Sequence, residues 1–171
     1  MIPAIMPTYA RAPLTFVKGE GSWLVDDQGR RFLDVGGGIA VNALGHAHPE
    51  LVETLQYQAT QLWHTSNLYH IPNQTELADK LVANTFADTV FFTNSGTEAM
   101  ECAVKMARKY FSHIGQPERY KMIAFSDSFH GRTLGMISAA GAAKLTEGFG
   151  PMLPGFTQVP LHDIEAVAAA I

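Results

Sequence analysis

Hydrophobic and polar positions over Leu14 to Val35 read as a small β element, whose mark is the period of two of a strand with one face packed and one face wet. Ser22 to Asp26 alternates about Trp23 and Val25, Asp27-Gln28-Gly29 carries turn chemistry, and Arg30 to Val35 runs back, which predicts an antiparallel hairpin. Gly36-Gly37-Gly38 then frees the backbone, and Gly45-His46-Ala47-His48-Pro49 makes a second break. Pro49 falls where a helix tolerates proline, in the first turn, so a helix is expected from about Pro49 to Leu62. Trp63 to Pro72 reads as a loop. The spacing of Leu77, Leu81 and Val82 predicts another helix, roughly Asn73 to Phe86.

From Thr89 the pattern changes. Val90-Phe91-Phe92 reads as an apolar strand, Asn94-Ser95-Gly96 as a break, and Thr97 to about Ser112 as a helix. Lys121 to Phe125 predicts a second buried strand, Leu134 to Ala140 a short helix, Phe156 to Val159 a third strand, and Asp163 to Ile171 a last helix. Strands alternating with helices specify an α/β fold built on a parallel sheet. The expected organisation is an N-terminal segment with a β-hairpin over residues 1–45, followed over residues 46–171 by an incomplete, mainly parallel sheet with flanking helices. A βα unit with no strand after it leaves an apolar face uncovered, so the chain reads as part of a longer fold.

Composition narrows the function classes. The chain has 171 residues, 47% of them hydrophobic and 16% charged, enough to bury one core. Its formal charge of -4 is spread without runs, which argues against nucleic acid or an anionic membrane as partner. Cys102 is the only cysteine, so neither an intrachain disulfide nor a cysteine zinc site can form, and a reducing, cytoplasmic setting is expected. Met1 to Ala10 has no basic head, long apolar run or Arg-rich amphipathic pattern, and no window is apolar for long enough to cross a bilayer. His46 and His48 lie two apart in a Gly/Pro loop and the other histidines are scattered, so no metal site is expected. Cys102 lies on a predicted helix with an apolar stripe of Ala99, Ala103, Met106 and Tyr110, where packing is the expected role.

Two motifs can carry chemistry. Thr93-Asn94-Ser95-Gly96-Thr97-Glu98-Ala99 falls at a strand-to-helix junction, where free amides and the helix dipole favour an anion. A phosphate could be held there by the amides of Gly96 and Thr97 with the hydroxyls of Ser95 and Thr97. The same letters also spell a capping box, Ser95 with Glu98 three residues on, which needs no ligand. The second motif, Ser128-Phe129-His130-Gly131-Arg132-Thr133, follows the second predicted strand. Ligands bind at the carboxyl ends of parallel strands, so both motifs fall on one rim. Phe129 could lie against an aromatic cofactor and Arg132 could clamp a carboxylate, or Phe129 could be core and Arg132 a solvated surface charge. The aromatic loop Trp63 to Tyr69 offers Ser66 and Asn67 as polar points and suits a subunit interface or a site loop.

In order, Gly38-Ile39-Ala40-Val41-Asn42-Ala43-Leu44-Gly45-His46, Leu62-Trp63-His64-Thr65-Ser66-Asn67, Asn94 to Ala99, and Ala124-Phe125 through Phe129-His130-Gly131-Arg132 resemble the class III aminotransferases, with the acetylornithine aminotransferases the nearest group. The likeness runs from about Tyr9 to Ile171 and takes in Lys144 and Phe149-Gly150-Pro151. It implies a fold-type I transaminase using pyridoxal 5'-phosphate to move the side-chain amino group of N-acetylornithine to 2-oxoglutarate, a step of arginine biosynthesis, as a homodimer. By motif match, Ser95, Gly96 and Thr97 would hold the cofactor phosphate, Phe129 would cover the pyridine ring, Arg132 would bind the substrate α-carboxylate, and Asn67 would lie near substrate and dimer partner. The family's Schiff-base lysine lies beyond Ile171 by the same match, and Lys144 corresponds to a different position, so no catalytic residue is assigned and the chain alone is expected to be inactive. Tyr69-His70-Ile71-Pro72 departs from the commonest acetylornithine pattern. That leaves other ω-amino-acid, ornithine or succinylornithine aminotransferases as alternatives, and a non-catalytic phosphate-binding or oligomerisation module as another class.

Overall fold

The expected hairpin gains a strand. In the computed structural model, which describes residues 3–171, β1 (Phe16–Glu20), β2 (Trp23–Asp26) and β3 (Arg31–Leu33) form an antiparallel sheet in that order. Trp23 pairs with Glu20 on one side and Leu33 on the other, and Gly21, at φ 55, makes the reversal between β1 and β2. The β2–β3 turn is built on Asp26, which is 1% exposed. Its carboxylate accepts from the amides of Gln28 and Arg30 at 3.0 and 2.8 Å and from the Arg30 guanidinium at 2.7 Å. Burial pushes the Asp26 carboxyl up, but the Arg30 and Gln28 hydrogen bonds together outweigh it and hold the group below its ordinary value.

Asp34, just past β3, ties down the glycine-rich stretch. One carboxylate oxygen accepts from the Gly36 and Gly37 amides at 3.1 and 2.9 Å, and the other meets His46 Nε2 at 2.7 Å. His46 and Gly21 exchange backbone hydrogen bonds of 2.9 and 2.7 Å. Gly45, at φ 78, passes so close that a Cβ there would come 2.8 Å from the Gly21 carbonyl oxygen. The motif Gly38 to His46 is therefore a docked loop. It overlaps α1 (Gly37–Ala40), a single turn whose interior is left-handed. The His46 hydrogen bond, then the Gly37 amide, hold the Asp34 carboxyl below the ordinary range. A lowered folded-state pKa contributes stability above the unfolded value of about 3.9 and loses it as pH falls through the folded one. Melting midpoints followed from pH 6 to pH 3 should therefore fall more steeply in the native chain than in Asp34→Asn, which should already start lower at pH 6.

Two helices follow. α2 (Pro49–Ala59) stops three residues short of the expected end, because Gln58 Nε2 donates to the Leu62 carbonyl, Thr60 Oγ1 to Tyr57 and Trp63 Nε1 to Ala59, at 3.0, 2.8 and 2.7 Å. Thr60 and Trp63 thereby satisfy the Tyr57 and Ala59 carbonyls at the helix end, and Gln58 ties the chain just beyond it. α3 (Pro72–Asn84) is close to its expected span. The chain divides into two units, the first reaching to Thr75 and the second running from Glu76 to Ile171.

The second unit holds α4 (Gly96–His113), β4 (Met122–Phe125), α5 (Leu134–Ala140), α6 (Ala143–Thr146), β5 (Phe156–Val159) and α7 (Ile164–Ala170). β4 and β5 pair in parallel, Met122 with Phe156 through Phe125 with Val159. The chain is thus α/β. The expected strand Val90 to Phe92 is not one, since it joins no ladder among the described residues. An apolar run can extend the backbone, but a strand exists only where a neighbour completes its hydrogen bonds. The core centres on α5, whose Met136 to Ala140 are all buried, against Ala124, Val159 and Val104. Ser138 is kept inside by accepting from the Leu153 amide at 2.9 Å and donating to the Leu134 carbonyl at 2.6 Å, and Gln158 of β5 donates to the carbonyls of Ser138 and Ala139 at 3.1 Å each. The stripe on α4 assigned to packing is open among the described residues: Met106 and Tyr110 are exposed and Cys102 is half-buried. No helix is long and apolar enough to cross a membrane among the described residues.

Candidate functional site

The first turn of α4 realises the capping box. Ser95 is the N-cap in an extended conformation, its Oγ accepts from the Glu98 amide at 3.2 Å, and the Glu98 carboxylate accepts from the Asn94 amide at 2.6 Å. Capping does not exhaust the donors. Ser95 accepts in this box and keeps its O–H to give, and among the described residues the amides of Gly96 and Thr97 have no recorded acceptor. The space before Gly96 is open, for a Cβ there would meet nothing within 4 Å. Its φ lies outside the left-handed range, so glycine is needed here for no backbone reason. A clear approach, free amides and the positive end of an 18-residue helix suit an anion.

The second motif leaves the end of β4 and returns to this same turn. Gly131 is buried at φ 130, and a Cβ on it would fall 2.5 Å from Thr97 Oγ1 and 2.8 Å from Thr97 Cγ2. Only glycine lets the loop lie against α4 at that point. Thr133 then caps α5, its hydroxyl oxygen accepting from the Met136 amide at 3.2 Å, while its O–H donates to the Glu101 carboxylate on α4. Between these two anchors Arg132 is exposed, and its guanidinium carbon lies 5.6 Å from the centre of the Phe129 ring. No carboxylate of the described residues pairs with Arg132. Phe129 is 68% exposed, so it does not pack into the core that the described residues form. An aromatic face and an unpaired guanidinium thus stand on a loop pressed to the anion-ready helix end.

His130 Nε2 is buried without a hydrogen-bond partner among the described residues, a cost of about 1 to 3 kcal/mol for such a group unless a ligand or another segment supplies one. Asn67 belongs to the first unit, on an exposed turn beside Ser66, which takes φ 69. No group of three or more His, Cys, Asp or Glu able to hold a metal is found among the described residues, and His46 is engaged by Asp34. The motif-by-motif reading missed Glu101 and Asp34. Glu101 could have been noticed, because it lies four residues after Thr97 and so on the same face of α4.

Comparison with known proteins gives a consistent result. The family profile described as Aminotransferase class-III matches residues 5–170. The acetylornithine aminotransferase of Rhodobacter capsulatus is 63% identical over 171 residues, covering all of this chain and 44% of that protein. Among solved structures, the ornithine aminotransferase from Toxoplasma gondii superposes with a TM-score of 0.92 at 28% identity, covering 98% of this chain and 40% of that one. The N-acetylornithine aminotransferase from Stenotrophomonas maltophilia gives 0.75 at 36% identity, covering 95% and 39%. The chain spans less than half the length of each of these relatives.

Proposed function

We propose that this chain, which belongs to the class III aminotransferases, forms the amino-terminal part of an acetylornithine transaminase that uses pyridoxal 5'-phosphate and 2-oxoglutarate. Its fold is that of the fold-type I transaminases it superposes on. The observation that carries the functional reading is the contact of Gly131 with Thr97, which puts a phosphate-ready helix end, an exposed aromatic ring and an unpaired guanidinium at one place. The donor set fits the cofactor. Open space at Gly96 admits a phosphate, and free amides with two hydroxyls match an acceptor-only group.

In this proposal Ser95, Gly96 and Thr97 bind the phosphate, Phe129 lies against the pyridine ring, and Arg132 grips the substrate α-carboxylate with two parallel donors. When bound, the cofactor supplies the electron sink for the transfer. The residues of this chain supply position: the helix end fixes the anion, the ring restricts tilt, and the guanidinium selects an amine that carries a carboxylate. We place the parent as a homodimeric, cytoplasmic enzyme of arginine biosynthesis, with residues 46–171 belonging to the large cofactor domain and residues 1–45 forming the segment that precedes it in the chain. A second reading, with ornithine or another ω-amino acid as donor, draws support from the likeness to the Toxoplasma gondii ornithine aminotransferase.

Steady-state kinetics in the parent polypeptide tests the assignment. A lysine gives a mobile point charge where arginine gives a planar fork, so Arg132→Lys should lose roughly one to two orders of magnitude in kcat/KM for N-acetylornithine, the loss of one charge-assisted bond at about 1.5 to 3 kcal/mol. An amine without an α-carboxylate should be nearly indifferent, and the cofactor absorbance should not change. Equal losses for both amines would remove Arg132 from the substrate. Comparing N-acetylornithine with ornithine in the native protein separates the two donors.

A further inference from the structure

We propose that Glu101 is a positioning residue for Arg132, an inference that rests on Arg132 being the carboxylate clamp. Thr97 and Glu101 stand one turn apart on one face of α4, and each meets a different part of the same loop. Thr97 lies against Gly131, the residue before Arg132. Glu101 accepts from the hydroxyl of Thr133, the residue after it, and its carboxylate lies where a Cβ on Gly135 would come within 2.8 Å. Arg132 is therefore held on both sides through its chain neighbours, while its guanidinium makes no ion pair among the described residues and stays available.

The hydroxyl of Thr133 is used twice. It gives its proton to Glu101 and takes the Met136 amide, so the Glu101 bond fixes the rotor that caps α5. Without Glu101 the hydroxyl is free to turn, the cap loosens, and the backbone carrying Arg132 loses its downstream anchor. One helix face thus sets both ends of the proposed site: its N-terminus takes the phosphate, and its second turn fixes how far away the carboxylate is gripped. Glu101 stands one turn below the proposed phosphate cup on α4. Its effect is carried through Thr133 to Arg132.

The test uses the parent polypeptide with Glu101→Ala, Glu101→Gln, Thr133→Val and the Glu101→Ala/Thr133→Val pair. Glu101→Ala and Thr133→Val should each raise KM for N-acetylornithine roughly tenfold with kcat within about twofold, the scale of one lost hydrogen bond. KM for an amine lacking the α-carboxylate and the affinity for pyridoxal phosphate should hold. The double variant should be no worse than Thr133→Val alone, because that substitution already removes the bond to Glu101. Glu101→Gln, whose amide oxygen still accepts from Thr133, should recover most of the loss. In the cofactor-free protein, hydrogen exchange should quicken in residues 131–136 of Glu101→Ala and not in residues 94–98. If Glu101→Ala does not fold, Glu101→Asp withdraws the acceptor by one methylene and should show the same kinetic split. Unchanged exchange in residues 131–136, or equal losses for both amines, overturns the positioning role. Arg132→Lys run in parallel separates the premises: a normal carboxylate-specific loss there beside a silent Glu101→Ala rejects Glu101 alone, whereas indifference of Arg132→Lys rejects the clamp and the proposal with it.

Discussion

Mixed with pyridoxal phosphate, N-acetylornithine and 2-oxoglutarate, the 171-residue polypeptide is expected to yield no glutamate above the background of the free cofactor. The reason is the placement of its six lysines, since the transfer needs one at the cofactor aldehyde. Lys105 and Lys109 follow Gly96 along α4 by nine residues or more, roughly 14 Å or further from the open helix end and on the wrong side of it. Lys121 precedes β4, at the opposite end of the strand from the Phe129 to Arg132 loop, about 13 Å or more away. Lys80 is paired with Glu76 at 2.7 Å and Lys18 with Glu20 at 3.1 Å. Lys144 lies on α6, separated in the chain from the Phe129 to Arg132 loop by the whole of α5. Mass-verified sample that produced glutamate steadily would sink this expectation and require one of these lysines to reach the site.

The second large effect is expected at Gly96. A valine there meets open space and an ordinary backbone angle, so the helix and its capping box should survive with little change in melting temperature. What changes is the approach to the amides of Gly96 and Thr97. A branched side chain occupies the volume that a phosphate would fill, and at least one charge-assisted bond of about 1.5 to 3 kcal/mol is lost along with the close contact. In the parent polypeptide, Gly96→Val should weaken pyridoxal phosphate by two orders of magnitude or more, read by absorbance titration against an unaltered far-ultraviolet spectrum. Tight cofactor binding by the variant would leave the capping box as the whole purpose of this sequence. Because the backbone tolerates valine, failure to bind could not be blamed on a broken helix.

Local order explains what could be read from the letters. α5 and β5 have the spans expected for them, and α4 differs by a residue at each end, since hydrophobic periodicity, a capping Thr133 or Ser95 and a following glycine act within a few positions. The capping box and the strand-end loops are local in the same sense, so the candidate residues Ser95 to Thr97, Phe129 and Arg132 could be named before any fold was known. Partners are a different matter. Periodicity says which face is apolar and never which segment will cover it, so Val90 to Phe92 looked like a strand although nothing among the described residues pairs with it, and β1 was not separated from the hairpin. Both outcomes were decided by hydrogen bonds between segments. The same holds for the contacts that shape the site: Gly131 on Thr97, Thr133 on Glu101, and, in the first unit, Asp34 on His46. Each joins residues well apart in the chain through atoms whose proximity has no signature in spacing. Sequence alone therefore settled most of the elements and named the groups at their ends; tertiary structure decided which ends meet, because only packing brings two short motifs, the start of α4 and the loop that carries Arg132, to one place.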